Sequence, residues 1–159
     1  MPQFHIRLAS DDLVFSAGHF ITFSAGACER LHGHTYHVAA EIYGPLGEHR
    51  YVVDFVAAHN ALKAIVAALD HRMLLPTGHP AICVSPRAGE VEVRFAERRW
   101  LFPQDDCLLL PVANTTTELL AQYVGERLWA AISALGGAPA TVRVEIGEGT
   151  GASAVCELP

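Results

Sequence analysis

Residues 31–43, Leu-His-Gly-His-Thr-Tyr-His-Val-Ala-Ala-Glu-Ile-Tyr, alternate regularly enough to predict a single long β-strand. Successive side chains of a strand point to opposite faces, so His32, His34, Tyr36, Val38, Ala40 and Ile42 share one face. Thr35, His37, Ala39 and Glu41 fall on the other. The first face is apolar apart from two imidazoles at one end, which suits a dry, shaped pocket at the margin of a covered sheet. Gly33, between the histidines, leaves room for another backbone to come close.

A second apolar strand is predicted over 12–20, with Leu13, Phe15, Ala17 and His19 on one face. Neighbouring strands of this kind would bring His19, His32 and His34 to one point. Three nitrogen ligands with an open fourth position form the pattern of a catalytic zinc site rather than a structural one. An isolated His-x-His would read as unrelated core or surface histidines. The third imidazole upstream, and Cys28 four residues before His32, move the reading to a Zn2+ site.

The 159 residues are 51% hydrophobic and have a positive mean hydropathy, enough for one domain over 1–159 with a substantial core. No run approaches the roughly 18 apolar residues needed to cross a bilayer. The N-terminus has no basic region leading into an apolar stretch, so a cytoplasmic protein without a membrane partner is expected. A net charge of −6 argues against a nucleic-acid binder, which needs clustered Lys and Arg. The one basic cluster, Arg94 with Arg98-Arg99, has acidic residues around it. The four cysteines include no Cys-x-x-Cys pair and read as reduced thiols. Cys83, Cys107 and Cys156 lie in apolar runs and are expected to be buried, whereas Cys28 lies in a Gly/Ala-rich loop.

Along the chain, 4–8 reads as a strand and 21–30 as a loop, while Tyr51-Val52-Val53 reads as a short extended piece. Asp54 is an N-cap for a helix carrying Phe55, Ala58, Leu62, Ile65, Val66 and Leu69 at helical spacing and ending near Asp70-His71. An inserted β section follows over about 76–113, with strands at 82–84, 91–95, 100–102 and 108–110 and a hairpin connection at 96–99. Asn114 to Glu118 supplies a threonine cap and an acidic first turn for a second helix, which Gly136-Gly137 ends. Strands at 141–146 and around 154–158 close the chain. Strands flanking two helices without regular alternation predict an α+β fold on an antiparallel sheet.

Phe15-Ser-Ala-Gly-His19 followed by Cys28-x3-His32-Gly-His34-x-Tyr36 resembles the 6-pyruvoyl-tetrahydropterin synthase family. The three-residue gap after the cysteine is most similar to its bacterial branch, the 6-carboxy-tetrahydropterin synthases of queuosine biosynthesis. The resemblance covers about residues 4–75 and 114–157. It implies the tunnelling fold (T-fold), with two helices on one face of the sheet. Subunits would form an oligomeric barrel, a homo-oligomeric hexamer with active sites between subunits. It also implies zinc on His19, His32 and His34, and Cys28 as a proton-transfer group working with Asp70 and His71 of a neighbouring subunit. Read without the family, Asp70-His71 is more simply a helix cap with a dipole-favoured imidazole.

Glu148 carries the third expectation. A carboxylate can accept two parallel hydrogen bonds from the edge of a pterin ring, and the resemblance places such a glutamate on the last hairpin. Gly147 and Gly149 depart from the family's usual sequence there, and Glu145 is the rival. Thr116 and Thr117 match a segment that lines the pterin pocket, with Thr115 in place of the family's proline. His5, His37, His49, His59 and His79 read as surface or satisfied histidines. Together these imply a zinc-dependent lyase acting on 7,8-dihydroneopterin triphosphate to give a 6-carboxy or 6-pyruvoyl product. The alternatives are a divergent member with another pterin substrate or reaction, and a non-catalytic pterin- or purine-binding protein.

Overall fold

The computed structural model describes residues 1–24 and 26–159; Ala25, within the expected loop at 21–30, lies outside the described residues. In chain order the elements are β1 (Phe4–Leu8), β2 (Val14–His19), β3 (Thr22–Ser24), β4 (Ala27–Cys28), β5 (His32–Gly44), α1 (Phe55–Leu69) and β6 (Arg72–Pro76). They continue with β7 (Cys83–Arg87), β8 (Glu90–Phe95), β9 (Arg98–Pro103), a 3-10 turn (Gln104–Asp106), β10 (Cys107–Leu110), α2 (Thr117–Ala134), β11 (Thr141–Gly147) and β12 (Ser153–Leu158).

The seven-stranded sheet is built on β5, which pairs antiparallel with β2, β1 and β11. The strand order is β10-β6-β2-β5-β11-β12, with β1 on β5. The sheet is mixed rather than wholly antiparallel, because β6 runs parallel to both β2 and β10. Parallel neighbours need a crossover of a dozen or more residues, and the inserted section supplies it between β6 and β10. The sequence pattern missed β6 for a physical reason. Met73, Leu74 and Leu75 are all buried, and a strand covered on both faces shows a continuous apolar run instead of alternation.

Both helices cover the same sheet face. Asp54 caps α1 by accepting from the Ala57 N–H at 2.8 Å, and Ala58, Leu62, Val66 and Leu69 are buried beneath it. Phe55, expected on that stripe, stands exposed in the first turn. Thr116 caps α2, which buries Leu120, Tyr123, Val124, Leu128 and Ile132. A Cβ at Gly125 would meet Leu158 at 3.1 Å and Val144 at 3.5 Å, so the glycine lets α2 lie close on β11 and β12. Phe15, Tyr36, Val38, Ala40 and Ile42 complete this core, as the alternation predicts.

β7, β8 and β9 form a separate three-stranded sheet. Its Val91, Val93 and Phe95 pack with Phe20, Met73 and Leu75 into a second apolar cluster, so the insertion lies against the margin of the main sheet. Three expectations change. Part of 21–30 forms the small β3–β4 hairpin, and Tyr51–Val53 forms bends instead of a strand. Cys83 is exposed, opposite Arg94 on the outer face of the small sheet, while Cys107 is buried and Cys156 half-buried. Among the described residues no helix is long and apolar enough to cross a membrane.

Candidate metal centre

The register of two strands assembles the three histidines. β2 and β5 place His19 directly opposite His32, and Ala17 opposite His34. Directly opposed residues bring their Cβ atoms to about 5 Å and diagonal ones to about 7 Å, so all three imidazoles converge at the end of the helix-covered face. Their ligand atoms lie within 4.8 Å of one another, with His32 Nε2 3.0 Å from His34 Nε2. Gly33 has the expected role, since a Cβ there would stand 3.1 Å from the carbonyl oxygen of Ala17.

Backbone carbonyls fix two of the rings. His19 Nδ1 donates to the Thr115 carbonyl at 2.8 Å, and His32 Nδ1 donates to the Arg30 carbonyl at 2.7 Å. Each ring therefore carries a proton on Nδ1, the arrangement that orients metal-bound imidazoles with Nε2 as the ligand atom. Burial pushes His19 below its ordinary pKa; the Thr115 carbonyl opposes this, and the neighbouring His32 and His34 add to it. The donor set fits zinc: nitrogens bound at about 2.0–2.1 Å around a tetrahedral ion stand about 3.4 Å apart. The Tyr36 hydroxyl lies 3.4 Å from His19, and burial raises its pKa, so it stays a neutral phenol.

Glu148 reaches the same place from the β11–β12 turn. Its Oε2 is 3.8 Å from His34 Nε2, and its Oε1 accepts from the Thr117 hydroxyl at 2.5 Å. Glu145 is directed elsewhere: it accepts from Ser153 at 2.7 Å and alternates with the buried Val144 and Ile146. Thr116 is occupied as the α2 cap, its hydroxyl accepting from Leu119 N–H at 3.4 Å.

Asp70 and His71 form a pair of their own. Asp70 Oδ1 accepts from the Ser16 N–H at 2.8 Å and Oδ2 lies 2.9 Å from His71 Nδ1, and these partners, Ser16 first, hold the carboxyl below its usual pKa. His71 has φ 55°, the left-handed region unusual for a side-chain-bearing residue, and its N–H donates to Ser16 O at 2.6 Å. Its imidazole is 83% exposed and lines an open cleft of about 650 Å³ with Gly18, Gly33, Thr35, Met73 and Phe102. Cys28 is bonded instead to Arg98, whose Nη1 donates to Sγ at 2.9 Å. Among the described residues, Cys28 and the Asp70–His71 pair share no hydrogen-bond partner within one chain.

The 6-pyruvoyl tetrahydropterin synthase family model matches residues 10–158. The chain belongs to this family. The matched span includes the inserted section. A putative 6-carboxy-5,6,7,8-tetrahydropterin synthase of Methanocaldococcus jannaschii is 32% identical over 144 residues, covering 89% of this chain and 88% of the relative. The 6-carboxy-5,6,7,8-tetrahydropterin synthase of Bacillus subtilis is 32% identical over 140 residues, covering 86% of this chain and 75% of its own. The crystal structure of 6-pyruvoyl tetrahydropterin synthase from Plasmodium vivax superposes with a TM-score of 0.90 at 23% identity over 99% of each chain, a likeness of fold.

Two groups beside the histidine cluster are not legible in the sequence. Thr115 looked like a substituted proline, yet it is buried, and its hydroxyl donates to the Phe20 carbonyl at 3.2 Å while its own carbonyl holds His19. Arg98 sat in an apparent turn with nothing to connect it to Cys28, 70 positions away. Neither link has a local signature.

Proposed function

We propose that this protein is a zinc-dependent lyase acting on 7,8-dihydroneopterin triphosphate to give a 6-carboxy-tetrahydropterin, as the names of its relatives in Methanocaldococcus jannaschii and Bacillus subtilis suggest. The observation that carries the reading is the convergence of His19, His32 and His34 beside Glu148 and Thr117. Bound zinc would supply Lewis-acid polarisation of the substrate's side-chain hydroxyls. Glu148, oriented by Thr117, would accept the 2-amino and ring N–H donors of the pterin. Cys28 would take and return protons at the substrate side chain, with Asp70 and His71 of a neighbouring subunit completing the relay. Asp70 would hold His71 in the tautomer that leaves Nε2 free.

The same reading makes the chain one cytoplasmic domain over 1–159, working as a homo-oligomer with a hexameric barrel and placed in queuosine or related deazapurine synthesis. The test is a product assay: zinc-loaded protein with 7,8-dihydroneopterin triphosphate, with triphosphate release and pterin products followed by chromatography and mass. A 6-carboxy product is the expected result, and a 6-pyruvoyl product would move the protein to the other branch. No turnover with tight pterin binding would overturn the lyase reading.

A further inference from the structure

We infer that Arg98, carried by the inserted three-stranded sheet, is a positioning residue that holds the sulfur of Cys28 for proton transfer. The inference rests on the proposed lyase reading. Arg98 Nη1 donates to Cys28 Sγ at 2.9 Å and to the Glu29 carbonyl at 3.2 Å, so one guanidinium nitrogen spans the side chain of one loop residue and the backbone of the next. A guanidinium donates only, so the sulfur is the acceptor, a role that a thiolate fills better than a thiol.

The arginine is itself fixed from below. Its guanidinium carbon lies 4.9 Å from the centre of the Trp100 ring, and Trp100 stacks on Phe20 at 4.4 Å with an interplanar angle of 18°. Phe20 directly follows His19, and its carbonyl accepts from Thr115. The stack Arg98–Trp100–Phe20 thus ties the cysteine loop to the same short segment that holds a metal ligand. Arg98 and Trp100 project from β9 toward the second apolar cluster, while Arg99 between them joins Glu92 on the outer face. The insertion therefore acts as a wall of the site, and its register decides which arginine reaches the sulfur.

The test compares Arg98→Met, which keeps the stem over Trp100 and removes the donors, and Arg98→Lys, which keeps the charge, with the wild type. Zinc-loaded proteins are treated with iodoacetamide at fixed pH, and alkylation of Cys28 is read by peptide mass against exposed Cys83 as internal reference. Arg98→Met is expected to slow Cys28 alkylation by at least about tenfold, the loss of one hydrogen bond to a charged group. Its kcat should fall similarly, with KM within about twofold and zinc content unchanged, as expected for an interaction made at the reacting group. Arg98→Lys should recover part of both. Unchanged alkylation overturns the proposal even if kcat falls, since Arg98 would then act on substrate; slowed alkylation with full kcat overturns it as well. A wild-type protein without turnover removes the lyase reading and the positioning role with it, while the alkylation contrast still reports the Arg98–Cys28 contact, so the two failures are distinguishable.

Discussion

The carbonyl of Thr115 accepts a hydrogen bond from Nδ1 of His19 at 2.8 Å, joining the entry to α2 to the end of β2. A carbonyl has no proton to give, so His19 is held as the Nδ1–H tautomer with Nε2 turned to His32 and His34. A preset ligand cluster of this kind predicts that zinc binding and stability are linked. His19→Ala, His32→Ala and His34→Ala should each lose most of the zinc measured by elemental analysis. Chelation of the wild type should lower its melting temperature, since metal at a hundredfold excess over Kd adds about 2.7 kcal/mol of stability. Full zinc retention in any of the three variants would refute that ligand.

Among the described residues Cys28 has no acidic or imidazole hydrogen-bond partner within one chain, whereas His71 lines an open cleft. Cys28→Ala and His71→Ala are therefore each expected to lower kcat by about 10²–10⁴ while keeping zinc and fold. If the relay crosses between subunits, co-expressing the two inactive chains should restore activity, because some interfaces then pair an intact Cys28 with an intact His71. Mixed oligomers as inactive as either parent would refute the shared site.

Glu148 and Glu145 are three residues apart, but only Glu148 lies beside His34 and Thr117. Glu148→Gln should weaken pterin binding by about 1.5–3 kcal/mol, the worth of hydrogen bonds to a charged group. Glu145→Gln should leave it within about twofold. Calorimetric titration with a pterin reads both, and the reverse ranking would exchange their roles.

What could be read from sequence was whatever repeats at a fixed spacing. Alternation along β5 and β2 predicts the faces of His32, His34 and His19. Capping chemistry predicts the start of α1 at Asp54 and that of α2 at a threonine within 114–118, which the structure gives as Thr116. The parallel strand β6 escaped because full burial erases alternation. Thr115 and Arg98 escaped because their partners are distant in sequence: a carbonyl holding an imidazole, and an arginine reaching a sulfur, depend on how elements pack.

The outer face of the small sheet offers a test that needs no substrate. Glu92 is buried there and accepts from Arg94 at 3.0 Å, Arg99 at 2.5 Å and Arg87 at 3.1 Å. These guanidinium groups, Arg94 and Arg99 foremost, hold its carboxyl down at about 2, against 4.5 for the unperturbed group. The folded state binds this proton less readily than the unfolded chain, so the stabilisation is complete above about pH 4.5 and is lost as pH falls toward 2. Glu92→Gln removes the titrating group and leaves three arginines facing one another. The variant should be less stable than the wild type at pH 7 by urea unfolding, and the gap between them should close as the pH is lowered from 4.5 toward 2. A gap that stays constant across that interval would show that Glu92 contributes through packing rather than through its charge.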